Sequence, residues 1–410
     1  MVKRIYVMFL ICCLIVSSTA AAFAANGMAD EELSRARKLS KSVNAFAFDL
    51  YKEIAKEEKG NIFFSPLSIS MALALAYEGA AGETREEMRR VLHYEGNIGE
   101  QFRAYLELLS KRPKESGEFL SATAVWPDIN SAIRRGYLEL VKNYYHSEVK
   151  ALDFSKPRQA SQTVNNWVKS KTKGKIRAFI SDDRDIEDIC LMLSNALYFK
   201  GEWDEKFNKR ETKMLTFFHA EKKSSETLFM FRSGNNIDYF ENEKLQSIRL
   251  NFKNGLYSYI VLLPQRQNSW TDTELSQGLL DEVLTGMKPR SNMTIYLPKF
   301  KTESSFELNM ILEGMGIKKA FIKGEADFYN IFLPKGIFGK DTVSYYISKV
   351  MHKVAFEINE NHTEAAAATV VTMRTSKILN RPVEFKADRP YIYIIADNRS
   401  GAILLMGRYC

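Results

Sequence analysis

Four short segments in the second half of the chain do most to restrict its fold: LYSYIVLLP, NMTIYLPKF, VEFKADRPYIYIIAD and GAILLMG. They are rich in β-branched and aromatic residues and bounded by turn formers, and that composition predicts strands. No regular β–α–β alternation accompanies them. The first half predicts helices instead. In NIFFSPLSISMALALAYEGA an apolar run leads to Ser65, suited to an N-cap, and to Pro66 at the first helical position. Thr84 and Glu87 have the spacing of a capping box. VNNWVKSKTKGKI predicts an amphipathic helix ending near Gly174, and Ser304 with Glu307 is expected to open another in SSFELNMILEGMG. A helical first half and a strand-rich second half define an α+β protein.

The chain has 410 residues, 45% hydrophobic and 26% charged, enough for a large core. No linker-like tract, low-complexity stretch or repeat divides it, so one large domain and two remain open. Lys3 and Arg4, the apolar run Ile5 to Val16 and the small-residue site Ala22-Phe23-Ala24 read as a secretory leader, residues 1–24, cleaved before Ala25. The alternative is an uncleaved anchor, although the strongly apolar part, about a dozen residues, falls short of the roughly 20 that span a bilayer. Removing the leader takes away two positive charges, so the net charge falls from +8 to +6. The basic run Lys169, Lys171, Lys173, Lys175 and Arg177 is expected to be a solvated helix end, with no nucleic-acid motif beside it. Only Cys190 and Cys410 remain after the leader, too few for a disulfide framework.

Chemistry is sparse. The chain has no G-x-S-x-G, phosphate loop, dinucleotide fingerprint, H-E-x-x-H or C-x-x-C. The histidines His93, His146, His219, His352 and His362 show no metal-ligand spacing. No enzyme activity, metal or cofactor is expected.

One stretch resists this plain reading: ENHTEAAAATVVTMRTSK, residues 360–377. Its four alanines suit a helix, the β-branched run behind them suits a strand, and segments that predict buried β-structure lie on both sides. Taken with NIFFSPLSIS, LSNALYFKGEW and FKADRPYIYII in order, this stretch shows that the sequence resembles the serpins, from roughly Leu39 to the end. The resemblance implies a single domain (39–410) after a short tail (25–38), with three β-sheets, eight or nine helices and an exposed reactive loop at about 360–382. It implies a monomeric, secreted inhibitor of serine proteases, with the periplasm or cell surface as further locations. No nucleic acid is implied as a partner, and no membrane once the leader is removed. A carrier or chaperone without inhibitory action, or an inhibitor of cysteine proteases, is the alternative.

In the family the loop is bait, and after cleavage it enters the main sheet as an extra strand. The residues permit this. Alternation places Thr363, Ala365, Ala367, Thr369 and Val371 on one face, small and uncharged, and Glu364, Ala366, Ala368 and Val370 on the other. Ladder bonds on both sides of a dozen residues, at ~1 kcal/mol each, total on the order of 10–20 kcal/mol before entropy. The family's spacing, counted from the hinge residue Glu360 or back from Phe385, puts the scissile bond at Ser376–Lys377. A serine there suits elastase-like or subtilisin-like enzymes; trypsin-like ones would cut after Arg374, before Thr375, or after Lys377. Asn61, Ser65, Ser68, Asn195 and His352 match the family's shutter, a buried polar cluster beneath the main sheet, and Trp203 matches its breach tryptophan. Two departures stand out: His362 replaces the usual hinge glycine, and Tyr391 replaces a phenylalanine. Asn361-His362-Thr363 is also an N-glycosylation sequon, expected to be unmodified because a glycan would block loop entry.

Overall fold

A computed structural model describes residues 2–113, 117–219, 223–265, 274–334, 344–360 and 382–410, with side chains from residue 29 onward. Helix α1 (Val2–Glu57) leads to β1 (Ile62–Phe64), α2 (Pro66–Gly79), α3 (Gly82–Val91) and α4 (Ile98–Ser110). Then come β2 (Glu118–Pro127), α5 (Arg135–Tyr145), β3 (Glu148–Val149), α6 (Pro157–Lys171) and β4 (Leu191–Lys200). The second half opens with β5 (Lys213–Phe218), β6 (Ser224–Gly234), β7 (Ile237–Glu241), β8 (Leu245–Asn251) and β9 (Tyr257–Pro264). It continues with α7 (Gln277–Gly286), β10 (Lys288–Arg290), β11 (Met293–Pro298), β12 (Phe300–Glu307) and α8 (Asn309–Met315). β13 (Lys349–Ile358), β14 (Val383–Lys386), β15 (Tyr391–Asp397) and β16 (Ile403–Tyr409) complete the described elements. Six of these eight helices precede Lys200 and twelve of the sixteen strands follow it, the α+β division expected from composition.

The strands form three sheets. A five-stranded sheet runs β12-β13-β4-β2-β3, a seven-stranded sheet β1-β16-β15-β9-β8-β7-β10, and a four-stranded sheet β14-β11-β6-β5. The largest core lies between the first two. Ser65 caps α2 by accepting a hydrogen bond from the Ser68 N–H, and Pro66 starts the helix as expected. Thirteen of the fourteen α2 residues are buried, because the helix packs on β16 of one sheet and on β4 and β2 of the other. Strands β9 and β15 are buried along their whole length, which is why their sequences read as continuous apolar runs. A second, smaller core lies between the five-stranded sheet and α6, where Trp126 meets Trp167 edge-on at 5.2 Å. Helix α6 stops at Lys171, and the chain turns through Gly174, whose φ of +76° suits a residue without a Cβ.

Two helix starts depart from expectation. Ser304 and Glu307 lie inside β12, and α8 begins only at Asn309. The stretch from Phe300 to Glu307 alternates half-buried and exposed residues, so period-two burial outweighs the cap-like spacing. Helix α3 begins at Gly82 rather than at a Thr84 cap. The Thr84 hydroxyl accepts instead from the Asp327 N–H, and the Glu87 carboxylate from the N–H groups of Lys318 and Lys319. Among the described residues no helix is long and apolar enough to cross a membrane.

Candidate functional site

The five-stranded sheet contains an unusual joint. β13 and β4 run parallel, in register from Lys349 opposite Met192 to Phe356 opposite Phe199, eight pairs in all. Their outer neighbours, β12 and β2, are antiparallel to them. Parallel ladders are slightly weaker per residue than antiparallel ones. A segment leaving the C-terminal end of β13 and folding back would run antiparallel to both strands. It would replace one parallel ladder with two antiparallel ladders. The net gain is therefore one ladder of about eight bonds, on the order of 8 kcal/mol. That is roughly half the sum reached by counting both ladders, since the existing β13–β4 ladder must first be given up.

A buried polar row crosses this seam. Phe306, His352, Asn195 and Thr123 lie opposite one another on β12, β13, β4 and β2. The Ser65 N–H at the start of α2 donates to His352 Nε2 at 3.1 Å, so that nitrogen carries no proton. Nδ1 holds the proton and donates to Asn195 Oδ1 at 2.8 Å; the Asn195 amide in turn donates to Thr123 Oγ1 at 2.7 Å. Ser65 Oγ donates to the Leu404 carbonyl in β16, which ties the row to the seven-stranded sheet. His352 is fully buried, and that burial pushes its pKa down to about 3, so the ring is neutral at ordinary pH. Such a chain satisfies each buried polar group only while the seam is closed.

The end of the seam is held by a second cluster. Glu360, two residues beyond β13, is 2% exposed. Burial alone would raise its pKa, but Lys299 and Thr212 hold it below the usual carboxylate range. The Lys299 ammonium donates to Oε2 at 2.7 Å and the Thr212 hydroxyl to Oε1 at 2.6 Å. Beside this clasp the Trp203 indole donates to the Asn359 carbonyl at 2.8 Å and stacks on Phe252, centroids 4.7 Å apart. Farther along β13 the Lys353 ammonium reaches the Ala178 carbonyl, in the segment that follows α6, and pairs with Glu303 of β12.

Of the expected residues, Ser65, Asn195 and His352 come together in the polar row, and Ser68 joins through its backbone N–H. Asn61 does not belong to it. It is exposed at the surface, where its Oδ1 accepts from the Cys410 N–H, because β1 begins beyond it and points the chain into the core only from Ile62. Thr363, Glu364, Ala365, Ala366, Ala367, Ala368, Thr369, Arg374, Thr375, Ser376 and Lys377 lie outside the described residues. Thr123, Lys299 and Thr212 were not foreseen. Their partners are 61 to 148 residues away along the chain, so no local pattern marks them. Among the described residues no group of three or more His, Cys, Asp or Glu side chains is placed to hold a metal ion. Cys190 and Cys410 are not joined by a disulfide.

The comparisons with known proteins agree with this architecture. The family model described as Serpin (serine protease inhibitor) matches residues 41–410. A serpin-like protein of Thermococcus kodakarensis is 37% identical, covering 90% of this chain and 84% of its own. The leukocyte elastase inhibitor of Xenopus laevis is 32% identical, over 90% and 98%. The crystal structure of uncleaved ovalbumin superposes with a TM-score of 0.80 at 27% identity, over 90% and 98%. The chain belongs to the serpin family, a family of protease inhibitors.

Proposed function

We propose that this serpin is an exported, single-use inhibitor of serine proteases. The target's nucleophile attacks the carbonyl carbon of Ser376, the peptide bond to Lys377 breaks, and the Lys377 amine leaves with a proton. The arm from Glu360 to Ser376, now tethered at one end only, folds back into the β13–β4 seam. Insertion competes with hydrolysis of the acyl-enzyme; when insertion is faster, the enzyme is carried along and held distorted. The observation that carries this reading is the parallel seam itself, closed in the described structure and continuous with the chain that leads to residue 361. The polar row at His352 and the clasp at Glu360 support it as the groups that keep that seam closed before the cut. The leader at residues 1–24 supports export, and the relative named as an elastase inhibitor supports a protease with a small primary pocket.

The test is a gel. Mixing the chain with elastase, subtilisin and trypsin is expected to give, with at least one, a complex that survives boiling in detergent, and a released fragment beginning at Lys377. Cleavage without any complex would overturn the inhibitory reading, and a fragment beginning at Thr375 would move the bond to Arg374.

A further inference from the structure

Strand β2 is unevenly covered. Its last six residues are fully buried, whereas the first four, Glu118 to Ser121, are only half-buried. The uncovered stretch lines an open cleft of about 790 Å³, a size that holds a small organic molecule. Four elements meet there. The end of α4 supplies Leu109, and Arg112 follows it; the start of β2 supplies Phe119 and Leu120; Lys200 closes β4. Lys173, just beyond α6, joins the lining from a left-handed backbone, φ +50°. Only glycine fits at 117, where a Cβ would lie 2.7 Å from the Lys200 carbonyl oxygen, so β2 starts flush against the end of β4.

The lining has an apolar part and a charged part. Leu109 and Phe119 pack on the edge of the larger core and Leu120 on the edge of the smaller one, so the cleft lies where both cores reach the surface. The charges around them do not cancel. Glu118 is already shared between Lys173 and Lys175, at 3.5 and 3.9 Å. The Arg112 guanidinium lies 5.4 Å over the Phe119 ring and donates to the carbonyl of that residue. Among the described residues neither Arg112 nor Lys200 forms an ion pair, and Glu202 is the carboxylate of the lining that opposes them. Half-buried apolar side chains beside unpaired cations fit an anion with an apolar body.

We infer that this cleft binds a small fatty-acid-like carboxylate, its head on Arg112 and Lys200 and its body on Leu109, Phe119 and Leu120. Such an occupant also restrains the β13–β4 seam. To part from β13, β4 must carry β2 with it through their ten-pair antiparallel ladder, whereas α4 is packed on α1. A molecule touching α4 on one side and β2 and β4 on the other opposes that movement. This consequence rests on the proposed inhibitory mechanism; the binding site stands apart from it.

The experiment is calorimetric titration of the intact chain with laurate below its micellar concentration, and with acetate to isolate the head group. The wild type is expected to bind laurate at one site per chain and to show no binding of acetate. Lys200→Glu should weaken laurate binding about tenfold, and Lys200→Gln severalfold should the first variant not fold. Lys169→Glu, an exposed position on α6 outside the cleft, should bind as the wild type does. No saturable binding of laurate, or equal binding by the wild type and the Lys200 variants, would overturn the site. The wild type and Lys200→Glu are then mixed with the protease that the gel identifies, with and without saturating laurate. Laurate is expected to raise severalfold the number of wild-type chains cleaved per protease trapped and to leave the ratio for Lys200→Glu unchanged. An unchanged ratio for the wild type would overturn the restraint while leaving the site. A wild type that traps no protease would remove the inhibitory reading instead, and the titration would still decide the site.

Discussion

His352 is the residue on which the closed state turns most directly. Its ring is neutral because Nε2 must accept from the Ser65 N–H, and no acidic group lies in the row to favour a proton. With a folded pKa of about 3 against ~6.5 when unfolded, the neutral ring's contribution to stability is complete above pH ~6.5 and is lost as the pH falls toward 3. Each unit in that window removes about 1.4 kcal/mol. Between pH 6.5 and 4.5 the wild type should lose ~2–3 kcal/mol more than His352→Gln, as read from the first denaturant transition. Equal losses would mean that the ring titrates freely and that the row does not depend on it. The sequence pointed to Ser65, Asn195 and His352 only through the family's motifs, and it misplaced Asn61 by the same route. Thr123 was not legible at all, since its role comes from strand register, which a local reading does not see.

At the scale of elements, segments with one dominant signal were legible. The apolar strands and the Ser65-Pro66 helix start fell where composition and capping placed them. Ambiguous segments were not. From Phe300 to Glu307 a cap-like spacing and a period-two pattern compete, and pairing with β13 over all eight residues decides for the strand. On the proposed mechanism the same pairing logic would govern the loop, whose candidate hinge residues beyond Glu360 lie outside the described structure. Their alternation leaves Thr363 among the small, uncharged side chains that a closed sheet would have to accommodate. Thr363→Arg should still be cut by the target but should leave no detergent-stable complex, because an uncompensated charge entering the seam costs several kcal/mol, comparable to the ladder gained. Undiminished complex formation would contradict insertion between β4 and β13.

At the scale of the whole molecule, the proposed mechanism requires the intact fold to lie above another arrangement of the same chain. On the proposed mechanism its sheet is closed with one ladder fewer than the cut chain would make, and the clasp at Glu360 and the row at His352 hold it there. Unfolding entropy of ~2 cal/mol/K per residue over a chain of this length turns ~8 kcal/mol into a rise of ~10 °C in melting temperature. The direct measurement is thermal unfolding, followed by circular dichroism, of the intact chain and of the chain nicked once in the loop, in the same buffer. A nicked form that melts at least ~10 °C higher is the predicted result, and coincident melting curves would contradict the account.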